Sequence, residues 1–496
     1  MKDIKERTVR GGFARICAQA INFLLRVGSL MVLARLLDPE DFGLVAMVTV
    51  VTGVFGLFKT AGLSIATVQR VTITEEQLST LFWINMLVGV LLALLSLASA
   101  PVLAAFYREP RLFWVTVALA AGFVFNAAGV QHSALLQRQM RLASLAAREI
   151  ISQLVSTAVG IGMAWGGCGY WALVGMTVIE PAASSVCLWV ATAWVPGIPR
   201  RKVGILSMIR FGSTVTLNGL VVYIAYNFEK VLLGRFWGAD ALGLYGRAYQ
   251  LINIPTDNLN SAIGGVAFSA MSRLQDDPNR LKRYFLNSYS LVLAMTIPIT
   301  IACALFADDI IFVLLGSKWK DASLIFRLLA PTILAFALIN PLGWLLVSLG
   351  FVGRSLKIAL VISPLVIAAY FMGLPYGPRG VAFAYSAVMT LWLVPHIAWC
   401  IHGTMISARD ILQVIRQPLI SGIVAAVFSF AVQFFCGQSL SPFPRLVLGG
   451  VVLIGVYLWM LLYAMGQKAF YLDLFRGLRR RSSVDKKELV EGSDLI

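Results

Sequence analysis

The sequence predicts an all-α polytopic membrane protein with fourteen transmembrane helices, and three observations lead there. Of its 496 residues 59% are hydrophobic and 13% charged, with mean hydropathy +0.81, against roughly 45–50% apolar and 25% charged in soluble domains. The chain also divides into stretches of about 20 mostly apolar residues, the length that crosses a bilayer core as a helix. The alternation over about ten residues that marks an outer-membrane barrel is absent.

The stretches lie near residues 12–37, 42–67, 80–105, 112–134, 148–166, 170–194, 208–237, 242–269, 284–306, 323–349, 357–373, 380–402, 418–436 and 446–466. The first is expected to be retained, because "MKDIKERTVRGG" runs into a long span holding Arg15 and Arg26, without the short apolar core and small-residue site of a cleaved leader. Short loops rich in Gly, Pro and acids, such as "DPED", "GGCG" and "WGADA", connect the spans on the outer side and leave no room for an extracellular domain. Two amphipathic stretches are predicted to lie on the membrane surface: "DDIIFVLLGSKWKD" outside, and "QKAFYLDLFRGLRRR" inside, the latter either with Arg479 to Arg481 meeting anionic headgroups or as a solvated basic tail that supports topology. Beyond Ser482 the chain is polar and predicted to be disordered.

Charge sets the sidedness. With the N-terminus inside, inner segments hold 27 of the 41 Lys and Arg, and outer loops hold six: Arg108, Arg111, Lys318, Lys320, Arg379 and Arg445. That bias predicts N-in and C-in, and it accounts for the net charge of +17 without a nucleic-acid partner.

A shift of 200 residues aligns "VLARLLDPEDFGLV" from Val32 with "LLGRFWGADALGLY" from Leu232, bringing Arg35 onto Arg235 and Gly43 onto Gly243. Six spans separate the copies, so the repeats are parallel and a substrate site is expected between them. The predicted organisation is an N-lobe at 1–200, a C-lobe at 201–405, two further spans at 406–466 and a basic tail at 467–496. The lobes are pseudo-twofold related, with six helices each.

Polar residues fall on particular helix faces. Arg15, Gln19, Asn22, Arg26 and Ser29 follow at steps of 4, 3, 4 and 3, on one side of the first span. An arginine at the centre of a span costs roughly 2.5–3.5 kcal/mol on insertion scales, so this side requires water or an anionic partner. Thr49, Thr52 and Lys59 repeat the pattern on span 2; Tyr223, Asn227 and Lys230 do so on span 7; Tyr249, Asn253, Asp257 and Asn260 do so on span 8, with Arg247 near its outer end. Packed together, the four stripes enclose a polar cavity. Snorkelling competes as the explanation for Arg15, Arg35, Arg235 and Lys59, and a salt bridge to Glu229 or Asp257 competes for Lys59 and Lys230. Arg26, midway along its span, has neither escape. Glu180 and Asp257 lie near the midplane and are candidates for ion coupling, against neutralisation by a neighbouring arginine or a bond at the Pro181 kink.

Such a cavity suits a cargo with an anionic head and a large polar body. Arginine forks grip phosphate bidentately, while Asn, Gln and Tyr meet sugar hydroxyls. A lipid-linked oligosaccharide has these parts, with a polyprenyl tail free to trail between spans 1 and 8 into the bilayer.

"LARLLDPEDFGLVAMVTV", "GLSIATVQRVTITEEQLSTLFWIN", "ALLQRQMR", "LGLYGRAYQLINIP" and "AFSAMSRLQDDPNRLKRYF" resemble polysaccharide transporters of the multidrug/oligosaccharidyl-lipid/polysaccharide superfamily, in the colanic-acid-type and succinoglycan-type branch often called Wzx flippases. The resemblance covers roughly residues 10–420. It implies two lobes plus two helices, V-shaped alternating access, and flipping of undecaprenyl-diphosphate-linked oligosaccharide repeat units across the bacterial inner membrane for exopolysaccharide or O-antigen. It implies polysaccharide polymerase and chain-length machinery as partners. By helix and depth, Arg26, Lys59 and Lys230 match the family's cavity cations; Arg15, Arg247, Gln19, Asn22, Asn227 and Asn253 complete the candidate substrate-binding set. "AFSAMSR" departs from the usual "FPxLSR" pattern, with Ser269 where a proline is common.

Other classes find little support. His132, His396 and His402 have no metal-ligand spacing, the six cysteines form no CxxC pair, and no GxxxxGK[ST] loop is present. The expectation is no catalytic residue, metal or cofactor. The rivals are a cation-coupled multidrug exporter, which should favour acids in its cavity; a peptidoglycan lipid-precursor flippase; and a polytopic polysaccharide polymerase, which requires a catalytic outer loop and no twofold repeat.

Overall fold

The computed structural model describes residues 2–58, 67, 73–199, 220, 223–436, 440–469 and 471, and among them there is no β-strand. In chain order the helices are α1 (Lys2–Leu36), α2 (Pro39–Gly56), α3 (Glu75–Tyr107), α4 (Arg111–Arg138), α5 (Leu142–Trp165), α6 (Trp171–Thr192), α7 (Phe228–Arg273), α8 (Pro278–Leu305), α9 (Ala307–Leu314), α10 (Ala322–Leu329), α11 (Pro331–Ser348), α12 (Val352–Gly373), α13 (Gly377–Leu391), α14 (Leu393–Ile401), α15 (Ala408–Cys436) and α16 (Pro442–Trp459). Ten helical stretches among these residues are long and apolar enough to cross a membrane; one, Gly353–Ile401, covers two predicted spans. Residues 208–219, 221 and 222 of predicted span 7 lie outside the described residues.

Local chemistry starts the helices where the sequence places them. Pro39 opens α2 with Glu40 and Asp41 in its first turn, and the Asp41 carboxylate accepts the Asp38 N–H at 3.1 Å. Thr74 and Gln77 cap α3 reciprocally, each side chain accepting the other's backbone N–H at 3.2 Å. The Asp277 carboxylate accepts the Arg280 N–H at the start of α8.

The chain packs as two compact units: residues 1–248, 314–325 and 359–385 form the first, and 249–313, 326–358 and 386–496 the second. In the first unit the sequence repeat is visible in the backbone. α2 begins at Pro39, and 200 residues on α7 breaks at Gly238, whose φ of 83° is open to glycine, so a second helical segment begins beside Ala239. The two turns then clasp one another. A Cβ at Gly43 would overlap the Ala239 carbonyl, and a Cβ at Gly243 would overlap the Pro39 carbonyl, so each repeat's glycine accepts the backbone of the other repeat's first helical residue.

The stretch from Asp308 to Asp321, expected to lie on the membrane surface, buries Asp309, Ile311, Leu315 and Trp319 in the protein and exposes Asp308, Phe312, Lys318 and Asp321. Trp319 is fully buried, donates from Nε1 to the Ala34 carbonyl at 2.7 Å and meets the Phe42 ring edge-on in the first unit. In the second unit Asp309 is 1% exposed and is held by Arg445 of α16, whose Nε lies 2.9 Å from both carboxylate oxygens. Burial is compensated by these partners, which an amphipathic-helix reading cannot see.

The second unit is built on α8, whose Leu281, Phe285, Tyr289, Leu293 and Ile297 share one core with Leu342 and Leu345 of α11 and with Leu453 and Tyr457 of α16. The last two spans, without counterpart in the repeat, are thus part of that core. Gly422 of α15 seats against Ile297, and Gly449 of α16 against Phe306. The opposite faces of these helices expose Val427, Phe430, Phe434 and Val451, the apolar surface that lipid requires. Asp309→Ala is expected to lower stability by about 1.5–3 kcal/mol, because it removes the charge-assisted hydrogen bonds that hold Arg445. Asp308→Ala, which breaks an exposed pair with Arg327, is expected to cost at most about 1 kcal/mol. Thermal unfolding of the two variants in detergent reads the contrast.

Candidate functional site

Within the first unit, α1, α2, α4, α5 and α6 surround a polar cavity of about 580 Å³. α1 buries Ala18, Leu30, Leu33 and Ala34 and presents Asn22 and Arg26 to the cavity. Arg26 is exposed to this space although it stands midway along an apolar helix. From α2 come Thr49, Thr52, Gly53 and Gly56; the two hydroxyls donate to Ala46 and Val48 carbonyls of their own helix at 3.2 and 3.1 Å, which leaves their lone pairs toward the space.

The far wall carries charge that the sequence reading did not assign to the site. Arg148 of α5 donates to Glu149 Oε1 at 3.1 Å and to Ser184 Oγ of α6 at 3.0 Å, tying the two helices together. Asn126 of α4, Gln153 of α5, and Thr177 and Glu180 of α6 complete the polar lining. The lining therefore holds two guanidiniums and two carboxylates. Arg148 and Glu149 satisfy one another, while Arg26 and Glu180 make no ion pair among the described residues. The cation excess expected from sequence is not present in this lining; Arg26 is the guanidinium left available to an anion.

A second cavity of about 230 Å³ shares Asn126, Arg148, Pro181 and Ser184 with the first and continues along α4 to Ser133 and Gln137. From Asn126 to Gln137 is roughly 16 Å at 1.5 Å per residue. A polar path thus leads from the middle of the unit toward the α4 end that sequence places inside. α4 and α6 line this path closely because Trp189 Nε1 donates to the Ala128 carbonyl at 2.9 Å and Ser185 Oγ donates to the Phe125 carbonyl.

The other predicted site residues are distributed as follows. Lys59 lies outside the described residues, as does the side chain of Arg15. Gln19 is exposed on α1 but does not line the cavity. Lys230 Nζ donates to Asn227 Oδ1 at 2.6 Å, Asn227 Nδ2 donates to the Tyr223 carbonyl at 2.9 Å, and the Tyr223 hydroxyl donates to the Val50 carbonyl at 3.1 Å. That relay ends against Gly53, where a Cβ would overlap the Tyr223 hydroxyl. It borders the cavity without lining it. Glu229, beside Lys230, is fully buried. Arg247 stacks its guanidinium 4.0 Å from the Phe42 ring centroid. Asn253 and Asp257 belong to the second unit, where Asp257 is exposed. Among the described residues no group of His, Cys, Asp and Glu is arranged to hold a metal.

Comparison with known proteins gives the arrangement a setting. A family model described as "Polysaccharide biosynthesis protein" matches residues 32–324. The teichuronic acid biosynthesis protein TuaB of Bacillus subtilis is 31% identical over 58% of this chain, and the lipopolysaccharide biosynthesis protein WzxC of Escherichia coli is 24% identical over 75% of it. The chain spans 60% of the length of the first and 76% of the second. Among solved structures, the lipid II flippase MurJ in an inward closed conformation superposes with a TM-score of 0.75 at 14% identity, over 92% of this chain and 99% of that one. At that identity the superposition shows a common fold.

Proposed function

Since the chain belongs to the polysaccharide biosynthesis protein family, we propose that it is a transporter that flips a polyprenyl-diphosphate-linked oligosaccharide across the bacterial inner membrane. One observation carries the reading: a polar cavity inside an apolar helical unit, with Arg26 midway along a spanning helix and making no ion pair among the described residues. A cavity of about 580 Å³ falls within the size range of small-ligand sites. It has room for a diphosphate and the first sugars; the rest of the glycan and the lipid tail extend beyond it.

In this reading the Arg26 fork takes two phosphate oxygens, while Asn22, Asn126, Gln153 and the Thr49 and Thr52 hydroxyls exchange hydrogen bonds with sugar hydroxyls. Lys59, Lys230 and Arg15 are the further cations that join when the outer and inner ends exchange accessibility. Arg148 acts from behind, keeping α5 and α6 together and Glu149 neutralised. Glu180 is the carboxylate free to exchange a proton or sodium ion as the headgroup arrives; Asp257 is the second candidate coupling group. The chain runs N-in and C-in, its basic tail meets anionic headgroups, and it delivers to polysaccharide polymerase and chain-length machinery. No covalent chemistry is asked of it.

The two carboxylates in the lining favour a second reading, export of organic cations. Reconstitution separates them. Proteoliposomes holding the chain are expected to move a fluorescent undecaprenyl-diphosphate oligosaccharide to the leaflet where an added glycosidase reaches it, while protein-free vesicles do not. Accumulation of an organic cation without movement of the lipid would replace the proposal by the second reading. Glu180→Gln is expected to keep the passive flipping rate but lose at least about threefold stimulation by an imposed ion gradient; unchanged stimulation removes Glu180 from coupling.

A further inference from the structure

At one end of the second unit, the last turns of α7 and the first turns of α8 enclose another cavity, of about 880 Å³, that has no part in the site above. Ser269 and Arg273 of α7 stand one turn apart on its wall, and Arg280, Arg283, Tyr284 and Asn287 of α8 face them. The three guanidiniums make no ion pair among the described residues, and no carboxylate is among the described residues that line the space. Lys282, in the same basic run, is directed elsewhere, into an ion pair with Asp410 at 2.6 Å. The run is therefore sorted: one cation is spent on holding α8 to α15, and its neighbours are aimed into a cavity.

Depth identifies the ligand. α8 is one of the apolar helices long enough to span a membrane, and it begins at Pro278. Arg280 and Arg283 sit roughly 3–8 Å along it at 1.5 Å per residue, within the headgroup layer that flanks the hydrocarbon core. Arginine forks backed by a phenol, an amide and a hydroxyl are suited to phosphate oxygens, and basic pockets at this depth take lipid headgroups.

We propose that this cavity binds the phosphate or diphosphate headgroup of a lipid in the leaflet that α8 enters. Two lipids supply that chemistry, an anionic phospholipid and a polyprenyl diphosphate, and the site does not require the transport reading. The test uses the full-length chain carrying Arg26→Gln, so that the first cavity does not contribute, and counts bound lipid by native mass spectrometry. Dioctanoyl phosphatidic acid and farnesyl diphosphate are expected to bind at least about tenfold more tightly than dioctanoyl phosphatidylcholine. Adding Arg273→Gln, Arg280→Gln and Arg283→Gln together should abolish that preference, and adding Lys282→Gln should not. If the triple variant does not fold, Arg283→Gln alone is expected to lose about threefold. Tenfold tighter farnesyl diphosphate identifies the cargo headgroup, and the reverse or parity identifies membrane phospholipid. Unchanged affinity in the arginine variants, or displacement of both probes by inorganic phosphate at equal concentration, overturns the proposal.

Discussion

Arg26→Gln is expected to slow translocation of a polyprenyl-diphosphate oligosaccharide by about ten- to hundredfold, at equal protein per vesicle. A hydrogen bond to a charged group contributes about 1.5–3 kcal/mol, and each 1.4 kcal/mol is about tenfold. The magnitude follows from the position of Arg26, in a polar space inside an apolar unit and without an ion pair among the described residues. Arg26→Lys keeps the charge but loses the fork, and should fall between the two. Gln19→Ala, on the same helix but outside the cavity lining, should change the rate by less than about twofold. Initial rates in proteoliposomes compare all four proteins.

Gly43→Ala and Gly243→Ala are expected to destabilise the first unit by about 1–3 kcal/mol, the usual cost of overpacking. The sign is diagnostic, because replacing a helical glycine by alanine is otherwise stabilising by roughly 0.4–1 kcal/mol. Gly246→Ala, where the added Cβ meets nothing within 4 Å, should show that ordinary gain. The contrast arises because each of the first two glycines carries the backbone of the other repeat, so the added methyl has no flexible side chain to displace. Melting temperatures of the three variants in detergent read it directly. The same clasp, with Trp319 seated beneath it on Phe42 and Ala34, holds these turns of the two repeats together.

Several of these features are legible in the chain because they are local. Steps of three and four residues put Asn22 and Arg26 on one side of α1, and both line the cavity, whereas Gln19 of the same stripe does not and Ser29 is buried. The repeat offset of 200 residues predicts a break before Ala239, and Gly238 provides it. The far wall carries the same helical signal: Arg148 and Ser152 are four apart, and Thr177, Glu180 and Ser184 are three and four apart. The repeat alignment instead singles out the first two helices of each copy. Glu149 is recognisable as an intramembrane acid, but its pairing with Arg148, and with it the loss of cation excess, depends on side-chain geometry. Asp309 and Arg445 are 136 residues apart, and nothing in either neighbourhood announces the other. Contacts of that range are fixed by how helices pack, which periodicity does not encode.

Arg26 is expected to hold a lipid diphosphate in the cavity between α1, α2 and α4–α6. In a chain without its six native cysteines, Thr52→Cys places a thiol on that wall, and its rate of reaction with a water-soluble maleimide reports occupancy. The thiol is expected to react readily, to be protected at least about fivefold by undecaprenyl-diphosphate oligosaccharide, and to lose that protection when Arg26→Gln is added. Reaction unaffected by the lipid, or protection that persists without the guanidinium, would contradict it.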